Sequence, residues 1–179
     1  YMAVKNAFGG VCFMEWDEDI RLRKAAALRK YRKKLTEEIA FYCFQQYLFA
    51  KQWKELKAYA NKKGIEIVGD IPIYVAFDSA DTWANPKLFQ LDKEGRPIGV
   101  AGCPPDCFSE TGQLWGNPLY DYEAMQKDGF EWWIRRIGGA AKLYDVIRID
   151  HFRGFDTYWA IPAAVSYTHL RAHETVLDI

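Results

Sequence analysis

The sequence predicts an α/β fold assembled from two βα repeats of a barrel or a doubly wound sheet. Three observations carry this expectation. A long, apolar-rich helical segment over 37–63 ends at Gly64 and runs straight into IEIVGDIPIYV, residues 65–75. A second strand-like run, YDVIRID at 144–150, follows another helical segment at 123–140. Between them lies a stretch rich in Gly, Pro and Asp, and so long a loop after a strand points to function rather than mere connection.

The elements follow in order. Residues 1–16 read as a helix end and a loop broken at Gly9-Gly10. Residues 17–34 read as one exposed helix. Its acidic start (Glu15, Asp17, Glu18, Asp19) and its basic run RLRKAAALRKYRKK at 21–34 suit the helix dipole. Over 37–63, Ile39, Phe41, Phe44, Tyr47, Trp53, Tyr59 and others cover most of the helix perimeter, which implies burial on more than one side. Lys62-Lys63-Gly64 is a helix end with a glycine cap. The 65–75 run lacks alternation and reads as a fully buried parallel strand. An excursion over 76–122 holds Asn85-Pro86, Gly102, Pro104-Pro105, Gly112, Gly116 and Asn117-Pro118. The helix at 123–140 is expected to stop near Gly138-Gly139, the second buried strand follows, and 152–155 forms a glycine-containing exit. The excursion leaves the C-terminal end of the first strand, where barrel enzymes place their binding loops.

Charge excludes two classes of partner. Lys plus Arg number 24 and Asp plus Glu number 24, so no net field draws nucleic acid or an anionic membrane. The basic run at 21–34 reads as the solvated face of a helix, with a nucleic-acid patch as the outside alternative. No apolar run approaches the roughly 18 residues of a membrane span, and no secretory leader is visible. The four cysteines contain no CxxC pair and are expected as free thiols in a reducing, cytoplasmic setting. Neither a Gly-x-Gly-x-x-Gly motif nor a P-loop occurs, so no cofactor and no metal is expected. The 16% of aromatic residues serve a core, and some could stack on flat sugar faces; composition does not separate the two uses.

Three segments could carry chemistry. In RIDHFRGF, residues 148–155, Arg148 and Asp150 fall on the same side of a strand. A guanidinium beside a carboxylate favours its ionised form, which suits a glycosidase nucleophile, although a salt bridge closing a barrel uses the same pair. GDIPIYV, residues 69–75, offers Asp70, a carboxylate that needs a partner if buried or that caps a strand end. AGCPPDCFSETGQLWGNPLY, residues 101–120, sets Phe108, Trp115 and Tyr120 among turn residues, either to stack on sugars or to pin the loop down.

Together, GDIPIYVAFDSADTWANPKLFQLD, AGCPPDCFSETGQLWGNPLYDYE and DVIRIDHFRGFDTYWAIPA closely resemble the 4-α-glucanotransferases of glycoside hydrolase family 77, the amylomaltases and disproportionating enzymes. The resemblance runs from residue 1 to about Ala164. It implies part of a (β/α)₈ TIM barrel with inserted loop and helical subdomain segments. It implies retaining transfer of α-1,4-glucan segments between maltooligosaccharides or to glucose as acceptor. Asp150 then resembles the catalytic nucleophile and Arg148 the arginine that holds it. His151 resembles a contact to the sugar at the reaction centre, Asp70 a strand-end carboxylate that binds hydroxyls, and Phe108 and Trp115 contacts of a glucan-binding loop. Cys107 stands where many members carry Tyr. The long loop favours a transferase over an α-amylase-class hydrolase; a non-catalytic glucan-binding fragment is the further alternative.

Retaining chemistry also needs an acid/base carboxyl about 5 Å from the nucleophile. In the family, that Glu and a further Asp lie beyond RIDHFRGF, so the chain is expected to be an internal piece that neither closes a barrel, which takes about 250 residues, nor catalyses transfer. After Ala164 the resemblance stops. VSYTHLRAHET at 165–175 matches the translation of a transposon-derived sequencing adapter, so 165–179 is expected to be a non-native tail. Were the tail genuine, His169 and His173 could face one way and bind a metal.

Overall fold

A computed structural model describes residues 1–107, 109–164 and the backbone of 176–178. The expectations placed on Phe108, on most of the 165–179 tail (165–175 and 179) and on His169 and His173 lie outside the described residues. The structure is mixed α/β and divides into two compact units, Tyr1–Gly69 with Gly138–Ile147, and Asp70–Ile137 with the residues from Arg148 onward.

The first unit is mainly helical: α1 (Met2–Ala7), α2 (Glu18–Arg21), α3 (Ala25–Lys34) and α4 (Thr36–Lys62). Tyr1, Phe8 and Phe13 pack around the Trp16 ring, and Tyr31 joins through Phe8. The single helix expected over 17–34 is two, because Arg23 takes a left-handed φ of 55° and breaks the ladder between them. The basic run is a solvated face, with Ala27 and Tyr31 its buried residues. Helix α4 ends as expected. Gly64 has φ 75°, its N–H donates to Asn61 O, and the Ile65 N–H donates to Ala60 O, a Schellman cap. Burial of α4 on several sides is not what the structure shows. None of its residues is buried, and Phe41, Phe44, Tyr47 and Tyr59 are more than half exposed.

Strand β1 (Val68–Pro72) pairs with β4 (Val146–Asp150) in a two-stranded sheet. Both strands run from the first unit into the second, so both C-terminal ends belong to the second unit. The expected eleven-residue buried strand is shorter and half-exposed, with Ile65 58% and Val68 62% exposed. At Asp145, before β4, the carboxylate accepts the Ile67 N–H at 2.8 Å and Asn61 Nδ2 at 2.8 Å, and pairs with Lys57 Nζ at 3.0 Å. These bonds, the Ile67 amide foremost, lower its pKa from the ordinary 3.8 to about 2.

The excursion is built rather than looped. It holds α5 (Ala80–Ala84), β2 (Gly99–Cys103) and β3 (Gln113–Pro118), and α6 (Tyr122–Lys127) follows at its end. Ser79 caps α5 and Asp121 caps α6 through their side-chain oxygens. Strand β2 pairs antiparallel with β3 on one side and with β5 (Thr157–Pro162) on the other, and the backbone of β6 (Val176–Asp178) extends the sheet. GVAGC and QLWGNP hide as strands because their glycines mask any alternation. Gly102 is required there: a Cβ would meet Gln113 O at 2.3 Å and Ile161 Cδ1 at 2.4 Å.

The helix expected over 123–140 is also two. Gly129 and Phe130 both have positive φ (69° and 60°), which ends α6 and starts α7 (Glu131–Leu143), and α7 passes through Gly138-Gly139 without stopping. The core of the second unit gathers Ile73, Tyr74, Phe89, Leu119, Tyr120, Met125, Trp132, Trp133 and Tyr158.

Candidate active site

Asp70 lies on β1, and Arg148 and Asp150 lie at alternate positions of β4, on one face of the strand. The Arg148 guanidinium joins them: Nη1 donates to Asp70 Oδ2 in a short charge-assisted bond, and Nη2 donates to Asp150 Oδ1 at 2.8 Å. The Asp70 hydrogen bond, then the charges of both aspartates, raise the Arg148 pKa still further above its ordinary value. All three side chains are more than half exposed. The group therefore presents two oriented carboxylates on one cation, with one net negative charge open to a ligand. Carboxylates held this way can accept hydroxyl hydrogen bonds or attack an electrophilic carbon.

His151 follows Asp150 with a left-handed backbone, φ 55° and ψ 42°, a conformation that non-glycine residues adopt at a cost and that concentrates at functional sites. The turn sets its ring edge-on to Trp115, centroids 5.0 Å apart at 84°, and 6.3 Å from the Tyr74 ring. Nε2 is buried and has no hydrogen-bond partner among the described residues. Burial lowers the imidazole pKa below 6.5; the Asp150 charge opposes this and the Arg153 charge reinforces it. Gly154 leaves room for the ring, since a Cβ there would lie 3.0 Å from His151 Cδ2, 3.0 Å from Ile73 Cδ1 and 3.3 Å from Tyr74 Oη. The Trp115 indole N–H donates to Gln113 Oε1 at 2.8 Å, which fixes a ring that remains 37% exposed.

Of the residues singled out from sequence, Asp70, Arg148 and Asp150 form one hydrogen-bonded group, and His151 packs on Trp115. Trp115 stands on strand β3 rather than on an irregular loop. Phe108 lies outside the described residues. Cys103 and Cys107 are not bridged, and burial raises the Cys103 thiol pKa. Among the described residues, no group of three or more His, Cys, Asp or Glu could hold a metal ion, and no helix is long and apolar enough to cross a membrane. Sequence reading missed Tyr74, whose ring touches both His151 and Trp115. A signal for it existed, since Tyr74 has the same parity as Asp70 along an extended segment.

Comparison with known proteins gives consistent matches. The profile of glycoside hydrolase family 77, described as 4-alpha-glucanotransferase, matches residues 1–176. The 4-alpha-glucanotransferase of Streptococcus pneumoniae serotype 4 is 58% identical over 164 residues, 91% of this chain and 32% of that protein. The Thermus thermophilus enzyme of the same name is 54% identical over 92% of the chain and 33% of its own length. The chloroplastic/amyloplastic enzyme of Solanum tuberosum is 50% identical over 91% of the chain and 28% of its own length. Among solved structures, an amylomaltase from Streptococcus agalactiae in complex with acarbose superposes with a TM-score of 0.92 at 46% identity, covering 99% of this chain and 35% of that one. An amylomaltase from Corynebacterium glutamicum shares the fold, with a TM-score of 0.70 at 20% identity. The chain spans about a third of the length of the relatives it matches.

Proposed function

The chain belongs to glycoside hydrolase family 77, the 4-alpha-glucanotransferases, and on that premise we propose that its second unit carries the nucleophile half of a site that transfers α-1,4-glucan segments with retention. The observation that carries the reading is the Arg148 bridge between Asp70 and Asp150 at the ends of paired strands. In this reading β1 and β4 are two strands of a (β/α)₈ barrel, and β2, β3 and β5 belong to an inserted segment at its mouth.

Asp150 is the nucleophile. Its carboxylate attacks the anomeric carbon of the donor, the glycosidic oxygen leaves with the released chain, and a covalent glycosyl-enzyme forms. A second glucan, or glucose, then takes the sugar from Asp150. Arg148 holds the carboxylate in line, Asp70 binds sugar hydroxyls beside it, and Nε2 of His151, without a hydrogen-bond partner among the described residues, meets a hydroxyl of the same sugar. Trp115, and Phe108 by its place in the motif, stack on neighbouring glucose units. Retention also requires an acid/base carboxyl about 5 Å from the nucleophile, and we assign that role to none of the described residues. We propose that the 165–179 tail is adapter-derived, against a family profile that runs on to residue 176, and sequencing the source DNA across codon 164 tests this.

The test of function is product analysis on maltotriose with the full-length protein and its Asp150→Asn variant. Longer glucans plus glucose, lost in the variant, are the expected result. Glucose and maltose alone would make the protein an α-amylase-class hydrolase, and an active Asp150→Asn variant would remove Asp150 from the mechanism.

A further inference from the structure

We propose that Arg136 on α7 is the positioning residue of this site, setting both the strand end that carries Asp70 and the aromatic wall formed by Trp115 and His151. The role rests on the glucan-site reading, but its geometry stands apart from it. Arg136 Nη2 donates to Pro72 O at 2.6 Å and Nη1 to Ile73 O at 3.1 Å, two consecutive carbonyls where β1 ends just beyond Asp70. Backbone carbonyls that leave a sheet need donors. A planar guanidinium satisfies two at once with fixed spacing, whereas an ammonium on a flexible stem does not.

Nη1 also donates to Tyr120 Oη at 3.2 Å, and the Tyr120 hydroxyl donates in turn to Ile73 O at 2.7 Å. Tyr120 is 1% exposed, and its ring stacks on Tyr74 at 5.9 Å and 20°. Tyr74 in turn touches Trp115 at 6.2 Å and His151 at 6.3 Å. The guanidinium is held by the faces of Trp132 and Trp133, with Cζ 5.2 and 5.1 Å from their centroids. One cation thus acts along two paths, through the backbone to Asp70 and its ion pair with Arg148, and through stacked rings to His151. A residue serving the core alone would have no reason to aim its donors at the segment that follows Asp70.

The two paths separate in a spectroscopic test on the 15N-labelled chain. Arg136→Lys keeps the charge but loses the fork, and Tyr120→Phe removes only the phenol. Arg136→Lys is expected to shift the Arg148 guanidinium signals, the Trp115 indole N–H and the His151 ring signals together. Tyr120→Phe is expected to shift those of Trp115 and His151 and leave those of Arg148 in place. A folded Arg136→Lys variant with all three sets unmoved overturns the proposal. So does a Tyr120→Phe variant with Trp115 and His151 unmoved, which decides the matter should the lysine variant fail to fold. Titrating the wild-type chain with maltotriose in the same spectra tests the glucan reading separately. Where maltotriose binds, Arg136→Lys is expected to raise its Kd about tenfold; an unchanged Kd counts against the role.

Discussion

Arg148 Nη2 lies 2.8 Å from Asp150 Oδ1, two residues along the same strand, while its Nη1 holds Asp70 on the neighbouring strand. The cation orients both carboxylates, and because all three groups are open to water the ion pairs add little to folding. Arg148→Met should therefore leave Tm almost unchanged while weakening maltotriose binding at least about tenfold. Calorimetric titration alongside thermal melts checks this, and a large drop in Tm with unchanged affinity would make the triad structural.

His151 gives the site a pH dependence of definite sign. Its folded pKa is depressed below 6.5 by burial, so folding favours the neutral ring. The stability this contributes is fully present above about 6.5 and is lost as pH falls through the folded value. Denaturant melts between about pH 7 and pH 5 should show the wild type losing more stability on acidification than His151→Asn. Parallel curves would show that His151 takes no part.

Asp145 acts lower on the scale. Its pKa of about 2, against an ordinary 3.8, places its stabilisation above pH 3.8 and its loss between there and about 2. Asp145→Asn should be less stable at neutral pH and show a flatter acid limb; an acid limb identical to wild type contradicts the assignment.

Two glycines are held by space rather than by backbone angle. A Cβ on Gly69 would lie 2.0 Å from Tyr144 Cδ2, so Gly69→Ala should cost about 3 kcal/mol or more. Tyr144→Ala in the same chain should recover part of that loss, which a double-mutant cycle measures. Gly154→Ala meets contacts of 3.0 Å and should cost about 1 kcal/mol while displacing the His151 ring, visible as a change in its ring signals.

On α4, Phe41 and Phe44 are 57% and 56% exposed. Exposed apolar stripes of this kind favour association. Replacing both by Lys should raise solubility while changing stability by no more than about 0.5 kcal/mol per site. A strong loss of stability would show that these rings pack against something in solution.

Much was legible from local pattern. Gly64 announced the end of α4, because a left-handed residue at that position is a local requirement of the backbone. The parity of Arg148 and Asp150 announced their shared face, because side chains alternate on any strand. The break at Arg23 was not legible, since Arg does not signal a positive φ; the break at Gly129-Phe130 carried the same glycine signal as Gly64 and was passed over. The strands of GVAGC and QLWGNP stayed hidden because their small residues are chosen by the neighbours on either side, not by a period within the segment.

The sequence by itself determined the family, the succession of α4 into β1 and of α7 into β4, and the identity of the chemical groups, because each is written in short motifs and local backbone preferences. Only the tertiary structure decided that Asp70, 78 residues before Arg148, shares its guanidinium, that Tyr74 touches both His151 and Trp115, and that Arg136 holds the end of β1. Those relationships join residues far apart in the chain, and they exist only once strand pairing and core packing have brought the residues together.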